Sequence, residues 1–375
     1  MRSRIRTWFA DGALRSFRHR AQNDVVLNCT LQFQQEAPCI TPALGPVLML
    51  LNQRDNDVRL DLTPVRIPAI YPPVTIDVDL YLPELKGRPI CLYASAANPP
   101  KAADLDKLCA RGIFTLLVPR AQAASLRAQL RSMSETVGES TPSVRLEWAR
   151  EAVKEDFARA WREKLPTALI KHAAEFSQQV VDVCRTRDEM TTALASLAAH
   201  DRDTFAHISN VCVYSIFLAR SVGITDDDQL IQIGQAGLLH DIGKRFIRTD
   251  ILQKPGPLTD EERREINQHP RIGFEELSGL PYLTRDQLLA VYQHHERLDG
   301  SGYPVGLVGD EICKMAQLCA VVDVFDALTA RRSYRQSVCI EDALAPLRRG
   351  FGVHFSAEYV ECWTELVARA APQPT

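Results

Sequence analysis

The sequence contains no apolar run that approaches the roughly 20 residues required to cross a lipid bilayer. Its apolar runs, such as residues 46–51, have the size of segments found in protein cores. Near its start it also has no long apolar segment of the kind that a secretory signal contains. These absences predict a cytoplasmic protein without a transmembrane segment.

The sequence also has little net charge and no closely paired cysteines. Its formal net charge is −3, which excludes the broadly basic surface that binding to a DNA or RNA polymer requires. An anionic substrate would therefore need local positive charge from metal ions, Lys or Arg. The ten cysteines are scattered and form no C-x-x-C pair, so we expect reduced and mostly buried thiols, not a disulfide framework or a structural zinc site.

The length of 375 residues and an ordinary globular composition predict more than one domain. In the first third of the chain, short apolar runs between Pro and Asn breaks are typical of strands. The predicted strands cover residues 25–31, 58–62, 74–80, 90–93 and 113–118, and the predicted helices cover residues 105–109 and 121–133. The pattern predicts a small N-terminal α+β domain over residues 1–133.

A polar segment over residues 134–143 is the predicted linker. Beyond it, apolar residues recur at helical spacing, as in Phe157, Trp161 and Leu165. We therefore expect connecting helices over residues 144–198 and an all-α domain after them.

His240 and Asp241 stand side by side at the end of an apolar helix predicted over residues 233–239. An imidazole and a carboxylate can bind one metal ion, or the carboxylate can bridge two, and this ligand set suits iron or manganese. Alone, such a pair is more often a satisfied polar pair in a core. The same half of the chain also contains His207, His269, the tandem His294-His295 and Asp323. An acid in the apolar helix of Asp323 is costly to bury without a partner, so the set predicts a metal centre.

The order of these residues resembles the HD-GYP family of cyclic di-GMP phosphodiesterases. The residues that carry the resemblance are His207, His240-Asp241, Lys244, His269, His294-His295, Gly302-Tyr303-Pro304 and Asp323. The match covers about residues 199–365, and its most specific part is the long segment from His294 to Pro304.

The resemblance implies an all-helical HD-GYP catalytic domain over residues 199–365 that holds two or three divalent metal ions, with iron or manganese usual in the family. It assigns the ligands to His207, His240, Asp241, His269, His294, His295 and Asp323, with Asp241 bridging two ions. It also implies a role in bacterial second-messenger signalling, in which cyclic di-GMP is hydrolysed to pGpG. Further cleavage to GMP stays open.

Several other residues are candidates for substrate contact. Lys244 would place its ammonium beside the phosphate, where it can neutralise developing charge, although a solvated lysine is the alternative. Gly302-Tyr303-Pro304 would lie in a loop that recognises the dinucleotide, against a plain tight turn. Arg332 and Arg335 could contact phosphate or guanine, against a solvated charge run.

Asp203 lies four residues before His207 and shares its helix face if this stretch is helical. A carboxylate here resembles the family subset with a third metal ion, and a helix N-cap is the alternative. Thr259 and Glu262 form a capping-box pattern, which predicts the start of the helix that carries His269.

Two positions depart from the commonest family pattern. Ser333 replaces a usual proline and Gln317 a common arginine. They support the alternative function, a catalytically weak cyclic di-GMP receptor or protein-interaction module. A third reading is an HD phosphohydrolase for other nucleotides or another cyclic dinucleotide.

The N-terminal domain matches no family motif and is expected to be regulatory. Its regulator and a homodimer stay open.

Overall fold

The computed structural model describes residues 61–71, 76–84, 89–135, 140–197, 204–254, 256–330 and 340–370. Over these ranges, a small antiparallel sheet with two helices precedes a larger helical region. This arrangement agrees with the predicted order of an α+β unit followed by an all-α domain. The strand predicted at residues 25–31 lies outside the described residues.

Four strands form the sheet, in the order β1-β4-β2-β3, with every pair antiparallel. The strands are β1 (Leu62–Arg66), β2 (Leu80–Leu82), β3 (Cys91–Ala94) and β4 (Thr115–Pro119). Two helices accompany them, α1 (Ala102–Ala110) and α2 (Arg120–Glu135). The strands predicted at residues 90–93 and 113–118 and both predicted helices are confirmed to within a few residues.

The other two strand predictions fall partly on residues that the structure does not describe. Of the strand predicted over residues 58–62, residues 58–60 lie outside the described ranges, and β1 begins at Leu62. In the stretch predicted as residues 74–80, Ile76, Val78 and Leu80 are buried alternately, but strand pairing starts only at Leu80. Alternation along a chain reports which side chains face the core, and it does not require a hydrogen-bonded neighbour.

Helices make up the rest of the described chain. They are α3 (Pro142–Arg162), α4 (Pro166–Val183), α5 (Arg187–Leu197), α6 (Thr204–Ser221), α7 (Asp227–Leu239), α8 (Thr249–Leu252), α9 (Asp260–Ile266), α10 (His269–Leu277), α11 (Arg285–Gln293), α12 (Lys314–Ala330), α13 (Ile340–Arg349) and α14 (Ala357–Ala370). The predicted linker thus overlaps the end of α2 and the start of α3. The boundary at residues 134–143 stays a prediction.

Local sequence signals explain where several helices begin. Pro142 and Pro166 occupy the first turns of α3 and α4, where the missing N–H costs no hydrogen bond. The capping box predicted at Thr259 is present at the start of α9. However, α9 ends at Ile266 and His269 begins a separate helix, so the prediction of one continuous helix was wrong. Pro270 in the first turn of α10 is the residue that signals this restart.

Helix α3 contributes to two hydrophobic cores. Trp148 and Ala152 belong to the core that includes the sheet and α2. Leu146, Ala149 and Val153 belong to the core of the helical region, which centres on the almost fully buried helix α6. Helix α3 therefore packs against both the sheet unit and the rest of the helical region.

Within the described ranges, no helix combines the length and apolar character that crossing a membrane requires. The described cysteines are all free thiols, as predicted. Among these described cysteines, Cys184, Cys212 and Cys319 are buried, three are partly buried and Cys91 is exposed, so the prediction of mostly buried thiols is met by fewer than half of those that the structure describes.

Candidate metal centre

The predicted ligands come together from five helices or helix ends in the helical region. His207 lies in α6, His240 and Asp241 directly follow α7, and His269 begins α10. His294 and His295 follow the end of α11, and Asp323 lies in α12. All seven side chains fall into two adjacent groups of potential ligand atoms, within which the atoms lie no more than 4.8 Å apart.

Three of the histidines share one local arrangement. The Nδ1 atoms of His240, His269 and His294 lie 2.7, 2.8 and 2.9 Å from the carbonyl oxygens of Gly237, Ile266 and Val291. Each carbonyl belongs to the residue three positions earlier, in the last turn of a helix, where carbonyls have no partner within the helix. If Nδ1–H donates to the carbonyl, Nε2 is left as a free acceptor for a metal ion.

His207 differs because its partner is a side chain from another helix. Its Nδ1 lies 2.7 Å from Oδ2 of Asp326 in α12, and Asp326 is only 3% exposed. A ligand histidine that donates to a carboxylate is a common second layer of metal sites, and it orients the ring. The Nε2 atom of His207 then faces Asp323 at 3.3 Å and Asp241 at 3.6 Å.

Asp241 lies between the two ligand groups. Its Oδ1 atom faces Nε2 of His269 at 3.2 Å and Nε2 of His294 at 3.9 Å. Its Oδ2 atom faces Nε2 of His240 at 3.4 Å and Nε2 of His207 at 3.6 Å. The two oxygens of one carboxylate therefore point toward different pairs of histidines, as a carboxylate that bridges two metal ions must.

The residues at this site fit a metal centre by a second criterion. Nε2 of His240 and Oδ1 of Asp241 are buried and have no hydrogen-bond partner. A buried polar atom without a partner is costly, and a metal ion would satisfy both atoms. The nitrogen and oxygen donors suit first-row ions such as iron or manganese, and no thiolate belongs to either group.

The protonation states also favour metal binding. Burial lowers the pKa of His269 and, together with the neighbouring imidazoles, lowers the pKa of His294 well below its ordinary value. Burial likewise lowers the pKa of His295 to about 3. These rings are therefore neutral at pH 7, which is the form that binds metal ions.

The carboxylates and His207 behave as a charged set in the metal-free site. Burial acts to raise the pKa of Asp241, but the Lys244 ammonium and nearby imidazoles hold that pKa well below its ordinary value. Burial also acts against ionisation of Asp323, yet the hydrogen bond to His207 and nearby imidazoles lower the pKa. For His207, burial lowers the pKa, but hydrogen bonds to Asp241, Asp323 and Asp326 outweigh it and hold the pKa well above its ordinary value.

Lys244 lies at the edge of the centre, in the short 3₁₀ helix Ile242–Phe246. Its Nζ atom donates to Oδ2 of Asp241 at 2.6 Å. The preceding Gly243 packs so closely that a Cβ atom there would clash with the carbonyl oxygen of His269. A glycine at this position therefore lets the turn with Asp241 and Lys244 approach the start of α10.

The loop with Tyr303 lies against the other side of the ligands and is not helical, as predicted. The Tyr303 ring centre is 4.7 Å from that of His295, and its backbone N–H donates to the His295 carbonyl at 3.2 Å. Burial raises the pKa of Tyr303 well above its ordinary value, so its hydroxyl remains a donor. A Cβ atom at Gly302 would clash with the backbone of Glu296 and Arg297, so the loop requires a glycine there.

Glu296 holds the exit of this loop. Its Oε1 atom accepts from the backbone N–H of Val305 at 2.7 Å, its Oε2 atom accepts from Leu307 at 3.0 Å, and Gly306 lies within 3.1 Å of both oxygens. The side chain is 3% exposed, and burial raises its pKa. The peptide bond between Tyr303 and Pro304 is cis.

Three predicted site residues, Asp203, Arg332 and Arg335, lie outside the described residues, as does Ser333. Gln317 is described, and it donates to the carbonyls of Gly309 and Ile312. The sequence reasoning missed the roles of Asp326 and Glu296. For Asp326 a signal was available, because an acid in the apolar helix of Asp323 needs a buried partner as much as Asp323 does.

Comparison with known proteins agrees with this picture. A family described as HD domain matches residues 167–358, about half of the chain. The chain is 37% identical over 179 residues to the cyclic di-GMP phosphodiesterase response regulator RpfG of Xanthomonas campestris, a match of 47% of this chain and 47% of that protein. It is 42% identical over 143 residues to the 3'3'-cGAMP-specific phosphodiesterase 3 of Vibrio cholerae, a match of 38% of this chain and 30% of that protein.

The matches thus span half or less of the length of these relatives. Among solved structures, the chain resembles Bd1817, an HDG"Y"P protein from Bdellovibrio bacteriovorus, with a TM-score of 0.57 and 16% identity. That likeness covers 82% of this chain and the whole of the other, and at this identity it concerns the fold alone.

Proposed function

Because this chain belongs to the HD domain family and has the HD-GYP motifs in place, we propose that it is a metal-dependent phosphodiesterase that hydrolyses cyclic di-GMP. The observation that carries the proposal is the position of Asp241. Its two oxygens face separate histidine pairs, at distances of 3.2 to 3.9 Å. A carboxylate in this position suits a pair of ions that act on one phosphodiester.

Ligand roles follow from the two groups. His269, His294, His295 and Asp241 would hold one divalent ion, and His207, His240, Asp323 and Asp241 would hold the other. When bound, such ions activate water and neutralise charge on the oxygens of an in-line displacement at phosphorus. Iron and manganese are the proposed ions, because the donors are imidazole and carboxylate.

The protein's own groups would position the substrate. Lys244 holds its ammonium beside Asp241 and neutralises charge that develops on the phosphate, where such a contact matters most in the transition state. Tyr303 packs on His295 and keeps its hydroxyl protonated, so it can donate a hydrogen bond to the dinucleotide. Arg332 and Arg335 stay proposed phosphate or guanine contacts on the basis of the sequence.

The similarity to the 3'3'-cGAMP-specific phosphodiesterase of Vibrio cholerae supports 3'3'-cGAMP as a second candidate substrate. Because the chain shares 42% identity with a 3'3'-cGAMP-specific phosphodiesterase, 3'3'-cGAMP is the main competitor of cyclic di-GMP. The two dinucleotides differ in one base, so the same metal chemistry serves both. The choice between them depends on contacts to that base.

The test is to purify the full chain anaerobically, measure its bound metal, and follow both cyclic dinucleotides by chromatography. Cleavage of cyclic di-GMP is the expected result, and the chromatogram also separates pGpG from GMP as the final product. Exclusive cleavage of 3'3'-cGAMP would replace the substrate. Tight binding of cyclic di-GMP without turnover, in protein with full metal content, would support the weak receptor instead.

A third metal ion is proposed for Asp203, on sequence grounds alone. The full chain should then bind close to three ions after anaerobic reconstitution, and Asp203→Ala should bind about two. Equal metal content in both proteins would leave Asp203 as a helix cap.

A further inference from the structure

A chain of buried polar contacts begins at His207 and leads away from the metal centre. Asp326, which accepts from Nδ1 of His207, also accepts through Oδ1 from the side-chain amide of Asn210 at 2.8 Å. Asn210 is 5% exposed and lies one turn after His207 on α6. Both oxygens of Asp326 are therefore engaged, one by the ligand and one by the next residue of the chain.

The contacts continue into α3. Oδ1 of Asn210 accepts from the Arg150 guanidinium at 2.7 Å. Asn210 thus accepts from Arg150 and donates to Asp326, so its amide has a fixed orientation. A rotated amide would place its NH₂ group against the guanidinium and its oxygen against the carboxylate, and both contacts would be lost.

Beyond Arg150, the chain reaches the sheet. Arg150 lies 3.4 Å from Glu147, and the other oxygen of Glu147 lies 3.2 Å from the guanidinium of Arg66 at the end of β1. Arg66, Glu147 and Arg150 are 3%, 7% and 4% exposed. Charges of alternating sign are thus buried in sequence, and removing one leaves its neighbour uncompensated in a dry environment.

From this geometry we infer that the N-terminal sheet unit orients His207 through Arg66, Glu147, Arg150, Asn210 and Asp326. This inference concerns regulation of the site and rests on the proposed function only in taking His207 as a metal ligand. The five residues are positioning residues. A shift of the sheet against α3 would change the contact of Arg66 with Glu147, and Arg150 and the amide of Asn210 would pass that change to Asp326.

Among the histidines of the site, His207 is the one whose orientation the sheet unit should influence. The rings of His240, His269 and His294 are held by carbonyls of their own chain segments, three residues away. His207 alone among these four rings depends on a carboxylate from another helix. The ion in the group with His207 and Asp323 is therefore the one whose binding the sheet unit should influence.

The experiment measures binding of Mn²⁺ alone to the full chain, by anaerobic calorimetry with a competing chelator. Asp326→Asn should weaken the affinity of the ion bound by His207 about 10-fold to 100-fold, as changes to such outer partners do. Arg66→Met should weaken the same affinity about 3-fold or more, as a remote coupled residue can. Arg66→Lys, which keeps the charge, should restore most of the loss.

Arg145→Met is the matched control. Like Arg66, Arg145 is a buried arginine, but it lies on α3, donates to the Ser134 carbonyl and does not belong to the series of contacts that reaches His207. It should lower the unfolding temperature without changing Mn²⁺ affinity. If Arg66→Met does not fold, the double variant Arg66→Met with Glu147→Gln is measured in its place, because it removes both charges of the pair.

A second readout needs neither metal nor activity. In the metal-free chain with ¹⁵N-labelled histidine, the His207 ring signals, assigned from their loss in His207→Gln, should shift in Arg66→Met and not in Arg145→Met. Unchanged His207 signals and unchanged Mn²⁺ affinity in Arg66→Met would overturn the inference, even if the protein hydrolyses cyclic di-GMP. Conversely, a chain that hydrolyses no dinucleotide but shows both effects would refute the proposed function and support the inference.

Discussion

The ligands at helix ends and the ligand inside a helix are held in place by different means. His240, His269 and His294 each donate to a carbonyl three residues earlier, in the last turn of the preceding helix. His207 lies within α6, and its ring is held by Asp326 from α12. The candidate metal centre therefore combines rings that are oriented locally with a ring that is oriented by tertiary structure.

The difference follows from backbone hydrogen bonding. The last four carbonyls of a helix lack partners within the helix, so an imidazole just beyond the end can use one. Inside a helix, the carbonyl three residues earlier already accepts from the backbone, so a ring there must find its partner elsewhere. A histidine at a helix end is thus preorganised as a ligand by a few residues, whereas His207 depends on the packing of α6, α12 and α3.

The largest effect on metal content and turnover is expected from a substitution of Asp241, whose oxygens face both kinds of histidine. Asp241→Ala removes the oxygens that face both histidine pairs, so both ions should be lost and turnover should fall to background. His207→Ala should lose only the ion of its own group. Metal analysis of anaerobically purified protein, with circular dichroism for the fold, measures this difference.

Asp310→Asn is the control for Asp241→Ala, because Asp310 pairs with Lys314 on the surface. It should keep the metal content and the turnover of the wild type. An Asp241→Ala protein with wild-type metal content would reject the bridging role. Loss of both ions in His207→Ala would instead show that the two groups are not separable.

The two kinds of ligand should also respond to pH in opposite ways in the metal-free protein. The lowered pKa of His269, His294 and His295 keeps these rings neutral in the folded state, while the unfolded chain takes up protons below about pH 6.5. The contribution of these three rings to the stability of the fold is therefore lost as the pH decreases below about 6.5. The raised pKa of His207 has the opposite sign, and its contribution is fully present below about pH 6.5 and is lost as pH rises through the folded-state pKa.

Three rings outweigh one, so the free energy of unfolding should be lower at pH 5.5 than at pH 7. Urea unfolding of chelator-treated protein measures this drop. His269→Gln should reduce this drop, because it removes one of the three neutral rings. Stability that is flat or higher at pH 5.5 would contradict the proposed balance.

This comparison also explains how far the sequence could predict the site. All seven proposed ligands could be named from the sequence, because their residue types and order form a motif, and the structure brings their side chains together. The partner of His207 was missed, although Asp326 lies only three residues after Asp323 in that helix. Arg66 and Arg150 could not be found, since they lie far from His207 in the chain and only folding brings them into one network.

The fold shows the same limit. Alternating apolar residues at 76, 78 and 80 correctly predicted burial, but they could not tell whether a neighbouring strand would pair with them. The capping box correctly predicted where α9 begins. Its end depended on Pro270, which is favoured in the first turn of a helix and disfavoured in its interior. Local signals therefore predicted helix starts better than pairings between distant segments.

A substitution of Lys244 tests the role of a side chain that lies beside the proposed ligands and is not itself one of them. Lys244→Ala should lower turnover about 10²-fold if, as proposed, the ammonium stabilises charge that develops in the transition state. Metal content should stay near that of the wild type, since the ligands remain. The measurements are kcat and KM for cyclic di-GMP with metal analysis, and Lys254→Ala, which breaks an ion pair with Glu262 away from the ligands, is the control. A change in KM alone would make Lys244 a binding residue without a role in the transition state.

The smallest effect is expected at the loop that packs on the ligands without contacting a metal ion. Glu296→Gln replaces one carboxylate oxygen with an NH₂ group, so at least one backbone N–H among Val305, Gly306 and Leu307 loses its acceptor. A buried donor without a partner costs about 1–3 kcal/mol, which should appear as a lower free energy of unfolding in urea. Because the loop also positions Tyr303, KM for cyclic di-GMP should rise while metal content is unchanged. Glu311→Gln is the matched control, since Glu311 accepts from the backbone N–H of Val308 on the surface. If Glu296→Gln instead released metal ions, the loop would have to be counted among the supports of the ligands, and the division into helix-end and helix-interior ligands would be incomplete.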